Sequence, residues 1–191
     1  MKRLALVTGI LALAAPLALA QTSTWKSDTA HSEVDFSIKH LGVSNVHGRF
    51  GKINATLVFN EADITKSTVT ATIGVDTVDT GEEARNTHLK TADFFDVANL
   101  PTATFTSTSV AKNGSNLTVS GNLTLHGVTK PVVLEVEGPS APVQGMDHKP
   151  HAGFSASTTI SRTAFGIGTK FPSAILGDDV KLTIELDVAK Q

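Results

Sequence analysis

The feature that most constrains this chain is a period of two. Val34, Phe36 and Ile38 alternate with Glu33, Asp35, Ser37 and Lys39. Ile53, Ala55, Leu57 and Phe59 alternate with Asn54, Thr56, Val58 and Asn60, and Val69, Ala71, Ile73 and Val75 with Thr70, Thr72 and Gly74. The same rhythm returns from Leu117 to Leu125 and from Val180 to Val188. Each run predicts a strand with one dry and one wet face. Thr102–Val110, Val132–Gly138 and His151–Ser161 repeat the pattern less strictly. Asn113-Gly114 marks a hairpin, and Gly127 and Pro131 bound the next connection. Only Gly81 to Thr91 escapes the rhythm; it suits a short helix capped by Thr80, with Glu82 and Glu83 as solvated acids in its first turn.

About eight strands and one short helix predict an all-β fold, an antiparallel sheet closed on itself. The alternative is a sandwich with a filled core. The dry faces place Phe36, Ile38, Ile53, Leu57, Val69, Ile73, Phe105, Leu123 and Phe154 inward. Small neighbours such as Ala71, Ala103 and Gly121 leave free volume between them, which favours a ligand-holding lumen. Trp25 reads as a plug at one barrel end.

Residues 1–20 read as an export signal. Lys2 and Arg3 precede an apolar run from Leu4 to Leu17, and Ala18-Leu19-Ala20 offers a small-x-small cleavage site. The run is shorter than the ~20 residues that span a bilayer, and no later run reaches that length. Residues 21–191 then form one domain, expected in the periplasm. With no cysteine in the chain, disulfides, thiolate metal sites and a cysteine nucleophile are excluded. The fold must be held by its core alone. Eighteen acidic residues against 16 basic ones argue against nucleic acid, which requires a clustered basic face.

Catalytic motifs are missing. There is no G-x-S-x-G elbow and no phosphate-binding loop, and Gly166-Ile167-Gly168 lacks the third glycine of a dinucleotide fingerprint. The seven histidines show neither H-E-x-x-H nor H-x-H spacing, so no metal and no cofactor are expected. At most, His148 and His151 would take a metal adventitiously beside the Gly145 loop. Arg85 and His88 stand three apart and share a helix face. If that face looks into the barrel mouth they are head-group candidates; if it faces solvent they do nothing. His31 and Arg162 are further candidates at strand ends, with a purely structural hydrogen bond the alternative for Arg162.

Several phrases are more specific than the alternation. Asp28-x-x-His31-Ser32-x-x-x-Phe36-x-x-x-His40 opens the domain, followed by Gly48-x-Phe50. His88-Leu89 precedes Phe94-Phe95-Asp96, Pro101 and Phe105. Gly121-x-Leu123-Thr124-x-His126-Gly127-Val128-Thr129-Lys130-Pro131, Ser161-Arg162-Thr163-x-Phe165-Gly166-Ile167 and Gly177-Asp178-Asp179-Val180 complete the set. In this order they closely resemble the YceI family of exported, polyisoprenoid-binding proteins, from about Thr22 to Ala189. The resemblance implies an eight-stranded, lipocalin-like barrel with a helix near its mouth. It also implies a long apolar pocket for a polyisoprenoid, an isoprenoid quinone precursor or a fatty amide. Family members often form homodimers. Leu100 departs from the pattern, because the family usually carries tyrosine before this proline. Two readings of function follow: a periplasmic lipid carrier with no catalytic residue, or an enzyme acting on such a lipid through rim His and Arg side chains.

Overall fold

A computed structural model describes residues 21–191. The expected export signal lies outside the described residues. The strands are β1 (Thr22–Ser27), β2 (Glu33–His40), β3 (Ser44–Phe50), β4 (Ile53–Asn60), β5 (Thr68–Gly74), β6 (Thr102–Asn113), β7 (Asn116–Leu125), β8 (Val128–Glu137), β9 (Val143–Gln144), β10 (Pro150–Ser161) and β11 (Leu176–Lys190). The helix α1 covers Glu83–Leu89. All strand pairings are antiparallel. Eight strands form the closed barrel, in the order β11-β1-β4-β5-β6-β7-β8-β10, and the β10–β11 ladder closes the ring.

Strand β11 makes this closure possible by its length of 15 residues. One edge pairs with β10 from Ser161↔Asp179 to His151↔Ala189. The other edge is shared: Leu176 to Glu185 pair with β2, and Val188 to Lys190 pair with β1. The β2–β3 hairpin therefore builds the wall at one end of the barrel and the β1–β4 pair builds it at the other. Outside its hairpin, β3 makes a single bridge, Arg49↔Asp79. Asp79 belongs to the segment that runs from Val75 through α1 to Pro101. That segment, with its aromatic side chains, covers the β2–β3 end.

Two strands carry no legible alternation, for physical reasons. The inward face of β3 reads Val46, Gly48, Phe50, and the gap at Gly48 is filled from across the ladder. A Cβ there would fall 2.4 Å from Cζ of its partner Phe36 and 2.8 Å from Thr80 Cγ2. Strand β1 turns Ser23, Trp25 and Ser27 toward one face, so polar residues hide its period. Trp25 shares that face with its ladder partners Leu57 and Lys190, half-buried, its Nε1–H donating to Ser23 Oγ at 2.9 Å.

Three local expectations need correction. The helix is capped by Glu82, whose carboxylate accepts from Ala84 N, while Thr80 instead donates its hydroxyl to Asn86 Oδ1. Pro131 lies within β8 opposite Asn122, so the β7–β8 turn is the pair His126-Gly127, with φ of 51° and 72°. Two consecutive positive φ values are what a tight primed hairpin turn requires. Gly121 does not open the lumen: the Phe105 ring lies over it, and a Cβ would also sit 2.6 Å from Thr106 O.

Candidate functional site

The barrel holds two adjoining compartments. The inner one, about 170 Å³, lies between β4–β8 and the β10–β11 ladder and has a wholly apolar exposed wall. The outer one, about 400 Å³, lies under α1 and the β2–β3 hairpin. They meet at Val34, Ile73, Leu123 and Leu182, which line both. A small eight-stranded barrel has room either for its own side chains or for one small ligand. An apolar cavity of roughly 150 Å³ already stays dry and takes up apolar guests.

The sequence-derived candidates map onto these compartments as follows. Phe36 and Ile38 line the outer one; Ile53, Leu57, Val69, Phe105 and Phe154 line the inner one; Ile73 and Leu123 line both. Ala103 lines the outer compartment and Ala71 the inner. Alternation explains this placement, because a strand cannot turn one dry residue inward without turning its neighbours at i±2. The period does break once, between Ser107 and Ser109, where an irregularity in the β6–β7 register flips β6 and brings Val110 inward.

Other lining residues were missed. Leu182, Ile184 and Leu186 continue the alternation of β11 and were available from it. Phe94, Phe95 and Phe171 sit on irregular segments where no period exists to read. Phe94 stacks on Phe171 at 5.4 Å, and His88 meets Phe94 edge-on at 5.0 Å. Phe95 packs edge-on against Phe50 at 5.3 Å. These rings line the outer compartment beneath α1. Leu100 lies against the Gly127 turn and lines neither compartment.

The four polar candidates part company. Arg85 and His88 both line the outer compartment, so the helix face they share borders it, with Arg85 half-buried and His88 exposed. His31 is elsewhere: it is exposed, paired to Asp28 through Nδ1 at 2.9 Å, and borders a surface groove with Glu137, Gly138 and Asp187. Arg162 lines the outer compartment but is 2% exposed, and its N–H groups are all engaged. Nε donates to Gly177 O, Nη1 to Ile167 O and Gly168 O, and Nη2 to Phe171 O and Leu176 O, at 2.6 to 2.9 Å. A guanidinium has five donors. Arg162 is thus a structural clamp on the loop after β10 and has nothing left to offer a head group. The remaining polar liners of the outer compartment are His40 and Thr80. No carboxylate lines it.

At the barrel's other side, His151 bridges two acids, with Nδ1 2.6 Å from Asp187 Oδ1 and Nε2 3.1 Å from Asp147 Oδ1. Among the described residues no three His, Asp or Glu side chains are grouped to hold a metal. The Asp187 hydrogen bond, reinforced by Asp147, raises the pKa of His151 above the ordinary 6.5. A raised histidine stabilises the fold fully below pH 6.5 and loses that contribution as pH climbs through the raised value. Thermal melts at about pH 6 and about pH 9 should therefore show a smaller loss of Tm in His151→Asn than in the parent. Equal losses would show that the pair contributes nothing.

Comparison with known proteins places the chain. A sequence profile described as the YceI-like domain matches residues 25–188. A UPF0312 protein of Pectobacterium atrosepticum is 38% identical over 195 residues, covering 100% of this chain and 98% of the relative. The crystal structure of Burkholderia cenocepacia BcnA superposes with a TM-score of 0.74 at 28% identity, over 84% of this chain and 98% of that one. A polyisoprenoid-binding domain of Saccharophagus degradans shares the fold at 18% identity, with a TM-score of 0.63 over 87% of this chain and 98% of its own.

Proposed function

Because the chain belongs to the YceI-like domain family and its barrel encloses an apolar cavity, we propose that it binds and carries a long-chain lipid. The ligand class is a polyisoprenoid, an isoprenoid quinone precursor or a fatty amide. The carrying observation is the inner compartment, whose exposed wall is wholly apolar. Such a space has no partners for water and suits a hydrocarbon tail. Burying about ten CH2-sized groups supplies roughly 8 kcal/mol at ~0.8 each. Net of ordering costs, this supports about micromolar binding or better. The tail enters past the outer compartment, and the head stays there beside Arg85 and His88. The Saccharophagus domain, described as polyisoprenoid-binding, has the same fold.

The outer compartment holds a head but is not equipped to transform it. Its one hydroxyl, Thr80, is committed to Asn86 and to Arg85 Nε, and it lacks a carboxylate to orient His88. These features support a binding role. The signal-like segment at residues 1–20 supports a role in the periplasm, where a lipid must cross water. Native mass spectrometry of protein purified from that compartment tests the reading: a mass adduct that is released as a lipid on denaturation is expected. A barrel that is always empty and takes up neither isoprenoid quinones nor fatty amides would overturn it.

A further inference from the structure

We infer that the outer compartment selects lipids whose head is an anion, a carboxylate or a phosphate, and that Arg85 is its counter-ion. This deepens the lipid-binding reading and rests on it.

The outer compartment is charged one way in a chain that is charged the other way. Acidic residues outnumber basic ones, 18 to 16, yet its polar liners are His40, Thr80, Arg85, His88 and Arg162, with no Asp or Glu. Arg162 spends all five donors on carbonyls, so the capacity to bind falls to Arg85. Thr80 takes two of the Arg85 donors: Nε–H donates to its Oγ1 at 2.8 Å, and one Nη2–H to its carbonyl O at 3.0 Å. Both Nη1 donors and the second Nη2 donor have no acceptor among the described residues. No described carboxylate forms an ion pair with Arg85.

The acids nearby in sequence are all directed elsewhere: Glu82 caps the helix by accepting from Ala84 N, neither it nor Glu83 lines the compartment, and Asp79 is held by other donors. Asp79 accepts from Gly81 N at 2.9 Å and Asn86 Nδ2 at 3.3 Å through Oδ1, and from Arg49 Nη2 at 3.5 Å through Oδ2. Asn86 also anchors Thr80, accepting from its N–H at 2.8 Å and from its hydroxyl at 2.7 Å. The guanidinium is therefore held by a fixed Thr80–Asn86–Asp79 frame, half-buried, beside apolar walls and without a counter-charge. Free donors on two guanidinium nitrogens match the paired oxygens of a carboxylate or phosphate. Hydrogen bonds to charged groups are worth more than neutral ones, which gives the anionic head about a tenfold advantage over an alcohol or amide on the same tail.

Titrating the purified protein with oleic acid, oleamide and oleyl alcohol reads the head alone, since the tail is constant. Geranylgeranyl phosphate against geranylgeraniol repeats the comparison with phosphate. The acid, the phosphate or both should bind about tenfold tighter than their neutral partners, and which of them does identifies the anion. Arg85→Gln should bring the ratio close to one, and Arg85→Lys should retain most of it. If Arg85→Gln does not fold, added salt replaces it, because a charged contact weakens with ionic strength. Equal affinity for charged and neutral heads, or a ratio indifferent to both Arg85→Gln and salt, overturns the inference and leaves the lipid-binding reading standing. Failure of all five compounds to bind overturns that reading itself.

Discussion

A phenylalanine at position 103 should fold and melt close to the parent protein, yet bind lipid at least about tenfold more weakly. Ala103 is 5% exposed, pairs with Ile73 across the β5–β6 ladder, and lines the outer compartment. Its methyl group points into a space of about 400 Å³. An added ring fills volume that a ligand otherwise occupies, and it adds apolar contacts to the cavity wall. In a packed interior the same change would cost about 1–3 kcal/mol through forced rotamers and backbone shifts. For a domain of this size that lowers Tm by about 2–4 °C per kcal/mol. Differential scanning fluorimetry and displacement of a fluorescent fatty acid, run on the same preparation, separate the two cases. A variant that melts far lower has a filled interior, contrary to the cavity described here. One that is stable and binds normally places the ligand elsewhere.

The opposite pattern is expected at Arg162. Arg162→Met should lower Tm by about 10 °C and cost about 3–5 kcal/mol, because it removes a buried charge that satisfies five carbonyls. Each buried carbonyl left without a donor costs about 1–3 kcal/mol before the loop relaxes. Arg162→Lys should recover little, since an ammonium has three donors and lacks the planar fork that reaches both sides of the loop. The strand end is also held from outside. Asp178 accepts from Ser161 Oγ and Thr163 Oγ1, each at 2.6 Å, and those hydroxyls, Ser161 first, keep its carboxyl below the usual range. The loop carries Ile167 and Phe171, which line the outer compartment. Ligand affinity should therefore fall along with stability, as it should not in Ala103→Phe. An unchanged Tm in Arg162→Met would show that the loop holds its shape without the clamp.

Much of the barrel was legible in the chain because alternation is a local property. Five runs announce their dry faces within ten residues each, and which residues point inward follows from the pleat alone. Closure is less local. It depends on β11 being long enough to pair with β2 at one end and β1 at the other, a division no single segment reveals. Where the period fails, the partner lies far away in sequence. Gly48 looks like an interruption until Phe36 covers it, and Gly121 looks like vacant volume until Phe105 fills it.

The amino-acid sequence by itself determined the fold class, the inward set of aliphatic and aromatic residues, and the presence of two basic groups on one helix face. Each of these follows from spacing along the chain, which the pleat and the helical turn convert directly into direction. The tertiary structure alone decided what the polar residues are free to do. Arg85 and Arg162 are the same side chain lining the same compartment, but the loop after β10 folds five carbonyls onto one, while Thr80 takes only two donors of the other. Hydrogen-bond saturation is set by which backbone groups arrive within about 3 Å in space, and that is a property of the folded barrel rather than of any stretch of its sequence.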